Sequence, residues 1–176
     1  MPGRLEGRKV VVLVAEGFED LEFWVTVMRL REEGVAVTIA GEEPGRVLVG
    51  KHGLVATADV AVADVDAGAV DALVVPGGWA PDRLRRSDAV IELARRIYGD
   101  GKIVGMICHG GWVGASAGIV SGHRATGSRG IRDDLVNAGA TWVDEPSLRD
   151  GNLVWGRVVE DIPDWCRELV AAIEHP

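Results

Sequence analysis

Cysteine is scarce in this chain: its 176 residues include two, Cys108 and Cys166. Two are too few for a disulfide framework or a zinc site, so no structural metal or cross-linked scaffold is expected. Long apolar runs are missing as well. The longest, Val10 to Ala15, falls far short of a membrane span. Basic residues stand near the N-terminus at Arg4, Arg8 and Lys9, but no apolar stretch of signal-peptide length follows. A cytoplasmic protein is therefore expected. Positive charge is outweighed: 27 Asp and Glu against 19 Lys and Arg leave a net charge of -8. So acidic a surface repels phosphate backbones and anionic membranes, and neither nucleic acid nor membrane is an expected partner. Linkers, repeats and low-complexity stretches are also lacking. The chain reads as one domain over residues 1–176, with residues 1–8 as a flexible N-terminal segment.

What is present is an alternation of short β-branched runs with helical patterns, the signature of an α/β fold. Val10–Val14 reads as a buried parallel strand. A polar turn, Glu16–Asp20, leads into a helix from about Glu19 to Glu33, on which Leu21, Val25 and Met28 fall on one face at helical spacing. Val35–Ile39 is a second strand. Residues 41–62 have no helical period and read as short strands in a hairpin-like excursion. Asp71–Val75 is a third buried strand running into Pro76-Gly77-Gly78, and a helix from about Pro81 to Tyr98 follows. Lys102–Ile107 reads as the central strand. It stops at Cys108-His109-Gly110-Gly111 and turns into an apolar helix, Trp112–Ala117. The last third predicts a short helix at Ile131–Asn137, a strand at Thr141–Val143, a hairpin turn at Asp150-Gly151 and a final helix at Ile162–Glu174. The expected architecture is a single-domain three-layer sandwich, a mostly parallel open sheet with helices on both faces.

In such sheets ligands bind beyond the carboxyl ends of the strands. Three strand ends carry unusual sequences: Gly17-Phe18-Glu19, Pro76-Gly77-Gly78 and Cys108-His109-Gly110. If the three strands are neighbours, these ends make one site. Cys108 sits where a strand meets a helix, the placement of a nucleophile elbow. A helix start supplies partial positive charge and free N–H donors, which is expected to lower a thiol pKa. His109 is either a general base or a loop residue; its side chain diverges from Cys108 unless the turn is strained. Its backbone N–H and that of Gly78 could face an oxyanion. Glu19 and Asp20 open a helix, where carboxylates usually serve as caps; alternatively one faces the cysteine and stays protonated. Trp79 and Trp112 each follow a motif closely and are expected to border an apolar substrate pocket. Cys166 reads as packing in the final helix.

Together these residues resemble the PfpI family of the ThiJ/PfpI superfamily, whose flavodoxin-like fold is similar to type-1 glutamine amidotransferases. The resemblance covers nearly the whole chain. It is carried by Ala15–Asp20, Leu30–Gly34, Gly50-Lys51-His52-Gly53, Val75–Gly78, Ile107–Gly110, Asp133–Gly139 and Trp142–Glu145. It implies Cys108 as nucleophile, His109 as its base or partner, Glu19 as the protonated carboxyl touching sulfur, and Gly78 and His109 as oxyanion-hole amides. It further implies self-association to a dimer or hexamer, in which Asp82 of one subunit reaches His109 of another, and no cofactor. Departures cluster near the site: Gly111 where relatives often have Pro, Ser128-Arg129 where many have Tyr-Pro, and bulky Trp79 and Trp112. The leading expectation is an enzyme acting on small reactive carbonyl compounds, as a glyoxalase or deglycase, through a covalent adduct at Cys108. An intracellular cysteine peptidase using the same nucleophile is the alternative. A redox-sensing stress protein without turnover is a third reading, of another class.

Overall fold

The computed structural model describes residues 3–176. In chain order its elements are β1 (Lys9–Leu13), α1 (Asp20–Glu32), β2 (Ala36–Gly41), β3 (Val47–Val49), β4 (Val55–Thr57), β5 (Val60–Ala61), β6 (Ala72–Val75), α2 (Ala80–Leu84), α3 (Asp88–Gly99), β7 (Ile103–Ile107), α4 (Gly111–Ala117), β8 (Arg124–Ala125), α5 (Arg132–Asn137), β9 (Thr141–Trp142), β10 (Ser147–Asp150), β11 (Leu153–Gly156) and α6 (Ile162–Glu174). Seven strands make the central sheet, in the order β10-β11-β7-β6-β1-β2-β5. Only the β10–β11 hairpin is antiparallel; the other neighbours pair in parallel. The parallel strands are covered on both faces, which is why β1, β6 and β7 read as unbroken apolar runs. Every residue of β6 and β7 is buried.

Crossovers in both directions from β1 place helices on opposite faces. The path β1–α1–β2 steps one way and β6–α3–β7 the other, so right-handed connections put α1 and α3 on different sides. α6 joins α1, where the buried Trp165 indole N–H donates to Thr26 Oγ1 at 3.0 Å; α4 packs beside α3. The expected excursion at residues 41–62 is the β3–β4 hairpin followed by β5. Among the described residues no helix is long and apolar enough to cross a membrane.

Three expectations change. The helix expected from Pro81 to Tyr98 is two helices, α2 and α3. Between them the chain tightens: the N–H groups of Arg86 and Ser87 reach back three residues to Arg83 and Leu84, and Ser87 turns extended (ψ 119°) at the start of α3. The segment expected to be flexible is tied down over residues 3–8. Leu5 is buried, its N–H donates to the Glu33 carbonyl at 2.9 Å, and Arg4 pairs with Glu174. Residues 1 and 2 lie outside the described residues. Finally, the apolar stripe of α1 faces solvent: Leu21, Val25 and Met28 are 48%, 37% and 61% exposed. The inward face carries Glu22, Phe23, Thr26, Val27 and Leu30.

Candidate active site

The order β7-β6-β1 makes the three unusual strand ends neighbours. Backbone bonds stitch two of them together. The Glu19 N–H donates to the Gly77 carbonyl at 3.1 Å and the Trp79 N–H to the Gly17 carbonyl at 2.8 Å, framing a bridge between Phe18 and Gly78. Gly77 must be glycine for reasons of space: a Cβ there would lie 2.5 Å from Glu22 Oε2 and 2.7 Å from Cys108 Cβ. That close approach lets the β6 turn touch the end of β7.

Cys108 follows β7 and begins a single 3-10 turn that feeds α4. Its φ is 59°, and it is the only non-glycine residue with positive φ among those described. A left-handed cysteine costs on the order of 1–2 kcal/mol. Such strain persists where the surroundings over-determine it, as at a nucleophile turn. The strain also removes the divergence expected between neighbouring side chains: Cys108 Sγ lies 3.3 Å from His109 Nδ1.

The carboxyl against the sulfur belongs to Glu22, where Glu19 was expected. Glu19 is the N-cap of α1, its Oε2 accepting the N–H groups of Leu21 and Glu22 at 2.9 and 2.8 Å. Its other oxygen faces His52 Nε2 at 3.7 Å. Three residues on, at the inward face of the first turn, the fully buried Glu22 accepts the Gly77 N–H at 2.8 Å through Oε2. Oε1 is buried with no conventional donor; the carboxyl engages the Cys108 side chain. The motif's second acidic position, Asp20, is structural: it accepts the N–H groups of His52 and Leu54 and anchors the β3–β4 hairpin.

Burial, reinforced by the charge of Glu19, pushes Glu22 up to about 7. Burial, the Glu22 charge and the hydrogen bond to it push Cys108 up to about 12, against the pull of the His109 and Gly78 backbone N–H groups. The helix-start effect expected to lower this thiol is thus outweighed. α4 is only seven residues long, and the His109 and Gly78 N–H groups act on a sulfur removed from water beside a carboxylate. His109 is held below its ordinary value, first by burial and then by Lys51. Near neutrality the resting site therefore holds a thiol, a neutral imidazole and a carboxyl at its midpoint.

These groups open into a cavity of about 790 Å³ that also borders Gly78, Trp79, Asp82, Trp112 and Ser128. Both indoles expected at the pocket are there, Trp79 largely exposed. The wall is not the apolar one expected, because Lys51, Arg83, Arg86 and Glu160 share it. Asp82 is turned to Arg86, with which it forms an ion pair. Cys166 is buried in α6, as packing requires.

The model of the DJ-1/PfpI family matches residues 8–172 of this chain, a span that contains the whole of this site. The chain belongs to the DJ-1/PfpI family. Among curated relatives it is similar to deglycase PfpI of Pyrococcus furiosus, 42% identical over 94% of this chain and 99% of that one. It is also similar to general stress protein 18 of Bacillus subtilis, 36% identical over 96% and 99%. Among solved structures it resembles Drosophila melanogaster DJ-1beta, with a TM-score of 0.89, 26% identity, and 96% of this chain and 91% of that one covered.

Proposed function

We propose that this DJ-1/PfpI protein converts small reactive 2-oxoaldehydes to hydroxy acids through a covalent adduct at Cys108. The observation that carries the reading is what surrounds the sulfur: the His109 imidazole at 3.3 Å, and beside it the buried Glu22 carboxyl and the backbone N–H groups of His109 and Gly78. A base is most effective when its pKa lies near the working pH, and Glu22, at about 7, meets that condition. As sulfur attacks the aldehyde carbon, Glu22 takes the thiol proton. The carbonyl oxygen, charged as the C–S bond forms, is met by the N–H groups of Gly78 and His109. The product is a thiohemiacetal. Neutral His109 then moves the proton from that carbon to the adjacent carbonyl carbon by way of an enediol, leaving a 2-hydroxy thioester. Water releases the hydroxy acid and restores the thiol. One carbon is oxidised as its neighbour is reduced, so the reaction balances without an external oxidant.

The similarity to a relative named a deglycase supports carbonyl chemistry of this kind. The redox-sensing reading draws less support: peroxide oxidation needs a thiolate, and burial with Glu22 holds Cys108 as a thiol. The test is lactate formation from methylglyoxal by the purified chain, with a fluorogenic peptide in parallel. Wild type should form lactate and Cys108→Ala should not. Peptide cleavage without lactate, or equal lactate from Cys108→Ala, would overturn the proposal.

A further inference from the structure

His109 holds one nitrogen on the sulfur, but its own side chain does not dictate that orientation. The χ2 torsion of histidine is broad and roughly two-fold. Among the described residues the ring makes no side-chain hydrogen bond except that to Cys108. Something beside it must choose the rotamer. Trp112, one helical turn further on, stands edge to face with the imidazole, ring centres 5.0 Å apart and planes at 68°. The indole is itself held from two sides. Its N–H donates to Asp134 Oδ2 of α5 at 2.7 Å. The Arg85 guanidinium lies over its ring at 5.4 Å and is fixed in turn by a 2.9 Å bond to Ser116 Oγ of α4.

We propose that Trp112 is the positioning residue of His109, and that Asp134 sets the indole that does the positioning. The inference rests on the role given to His109 above. Trp112 supplies part of the cover that removes His109 from water, and it restricts the ring to the orientation with Nδ1 toward sulfur. Edge-to-face aromatic pairs are strong enough to shift such an equilibrium by roughly three- to tenfold. Asp134 does not border the cavity, so its influence on the reaction must pass through the indole.

The experiment follows the His109 ring by NMR titration, alongside the pH profile of Cys108 alkylation by iodoacetamide and the kcat and KM for methylglyoxal. Trp112→Ala should uncover the ring, move its midpoint up toward the ordinary 6.5 and lower kcat about tenfold. Trp112→Phe keeps the aromatic cover and should keep the low midpoint. Asp134→Ala and Asp134→Asn remove the same charge, but only Asn leaves an acceptor for the indole. Asp134→Ala should lower kcat about threefold with KM unchanged, the scale of one lost hydrogen bond, and Asp134→Asn should restore it. The charged and titratable groups that share the cavity with the ring remain in every variant: Glu19 and Glu22 by α1, Lys51 and His52 on the hairpin, the Asp82–Arg86 pair and Arg83 by α2, and Glu160 before α6. Arg85 on the indole also remains, and the Asp134 charge is lost alike in both of its variants. A shift is then attributable to the indole. An unchanged His109 midpoint in Trp112→Ala, or Asp134→Ala and Asp134→Asn behaving alike, would overturn the inference. The titration and the alkylation profile need no carbonyl turnover. Failure of the catalytic proposal, seen as lactate from Cys108→Ala, is therefore separable from failure of this one.

Discussion

Glu22 and Cys108 occupy one dry space and compete for one negative charge. Folding raises the Glu22 carboxyl from 4.5 to about 7, so the folded chain holds that proton more tightly than the unfolded chain does. The contribution to stability is complete below 4.5 and is lost as the pH rises through 7. Forcing this carboxyl to ionise costs up to about 3 kcal/mol. Glu22→Gln keeps an acceptor for the Gly77 N–H and cannot ionise. Denaturant unfolding should find it more stable than wild type by up to that amount near pH 8, with the difference closing toward pH 4. The same variant removes the charge that raises Cys108, so the midpoint of iodoacetamide labelling should fall while turnover, deprived of its base, falls too. A stability difference independent of pH would sink the assignment. At this scale Cys108 and His109 are legible in the sequence, because a nucleophile at a strand end followed by small residues is a local pattern. Glu22 is not. It is one of several acidic residues near a helix start, and only tertiary contact distinguishes the cap at Glu19 from the carboxyl one turn deeper.

Elements carry the site by bringing backbone close to backbone. The turn after β6 touches the end of β7 only because Gly77 has no side chain, with 2.7 Å between its would-be Cβ and that of Cys108. Gly77→Ala should destabilise the fold by about 1–3 kcal/mol through overpacking and push Glu22 off the sulfur. Gly99, the last residue of α3, meets nothing within 4 Å, and Gly99→Ala should gain up to about 1 kcal/mol of helix propensity. Thermal unfolding of the two variants checks the pair; an unperturbed Gly77→Ala with intact Cys108 reactivity would refute the close-packing account. Strands β1, β6 and β7 are legible because strands buried on both faces demand continuous apolar runs. The face of α1 is not, because the helix carries two apolar stripes. Leu21, Val25 and Met28 are regularly spaced, yet Phe23, Val27 and Leu30 are the ones that pack. Spacing marks the helix without choosing which stripe goes inward. The break between α2 and α3 is likewise invisible to periodicity, since residues 85–87 contain neither Gly nor Pro.

At the scale of the whole molecule, α1 turns Leu21, Val25 and Met28 to solvent while the β3–β4 hairpin exposes Val47, Val49 and Val55. The Trp24 indole N–H joins the two elements by donating to the Val55 carbonyl at 3.2 Å. Apolar surface gathered in this way is costly to leave in water, and we propose that self-association of this chain covers it. Asp82 is where assembly and catalysis would meet. In the single chain its carboxylate is held by Arg86 and makes no hydrogen bond to His109, although both border the same cavity. We propose that Asp82 acts on a histidine across a subunit boundary, where a carboxylate beside the imidazole would favour its protonated form and so assist proton transfer. Cys108→Ala and Asp82→Ala subunits should each be inactive alone and should regain part of the methylglyoxal activity when mixed under subunit exchange, because some interfaces then pair an intact Cys108 with an intact Asp82. Mixtures that exchange subunits yet stay inactive would place any action of Asp82 within its own chain. Full activity in Asp82→Ala alone would leave the residue as the partner of Arg86 and nothing more.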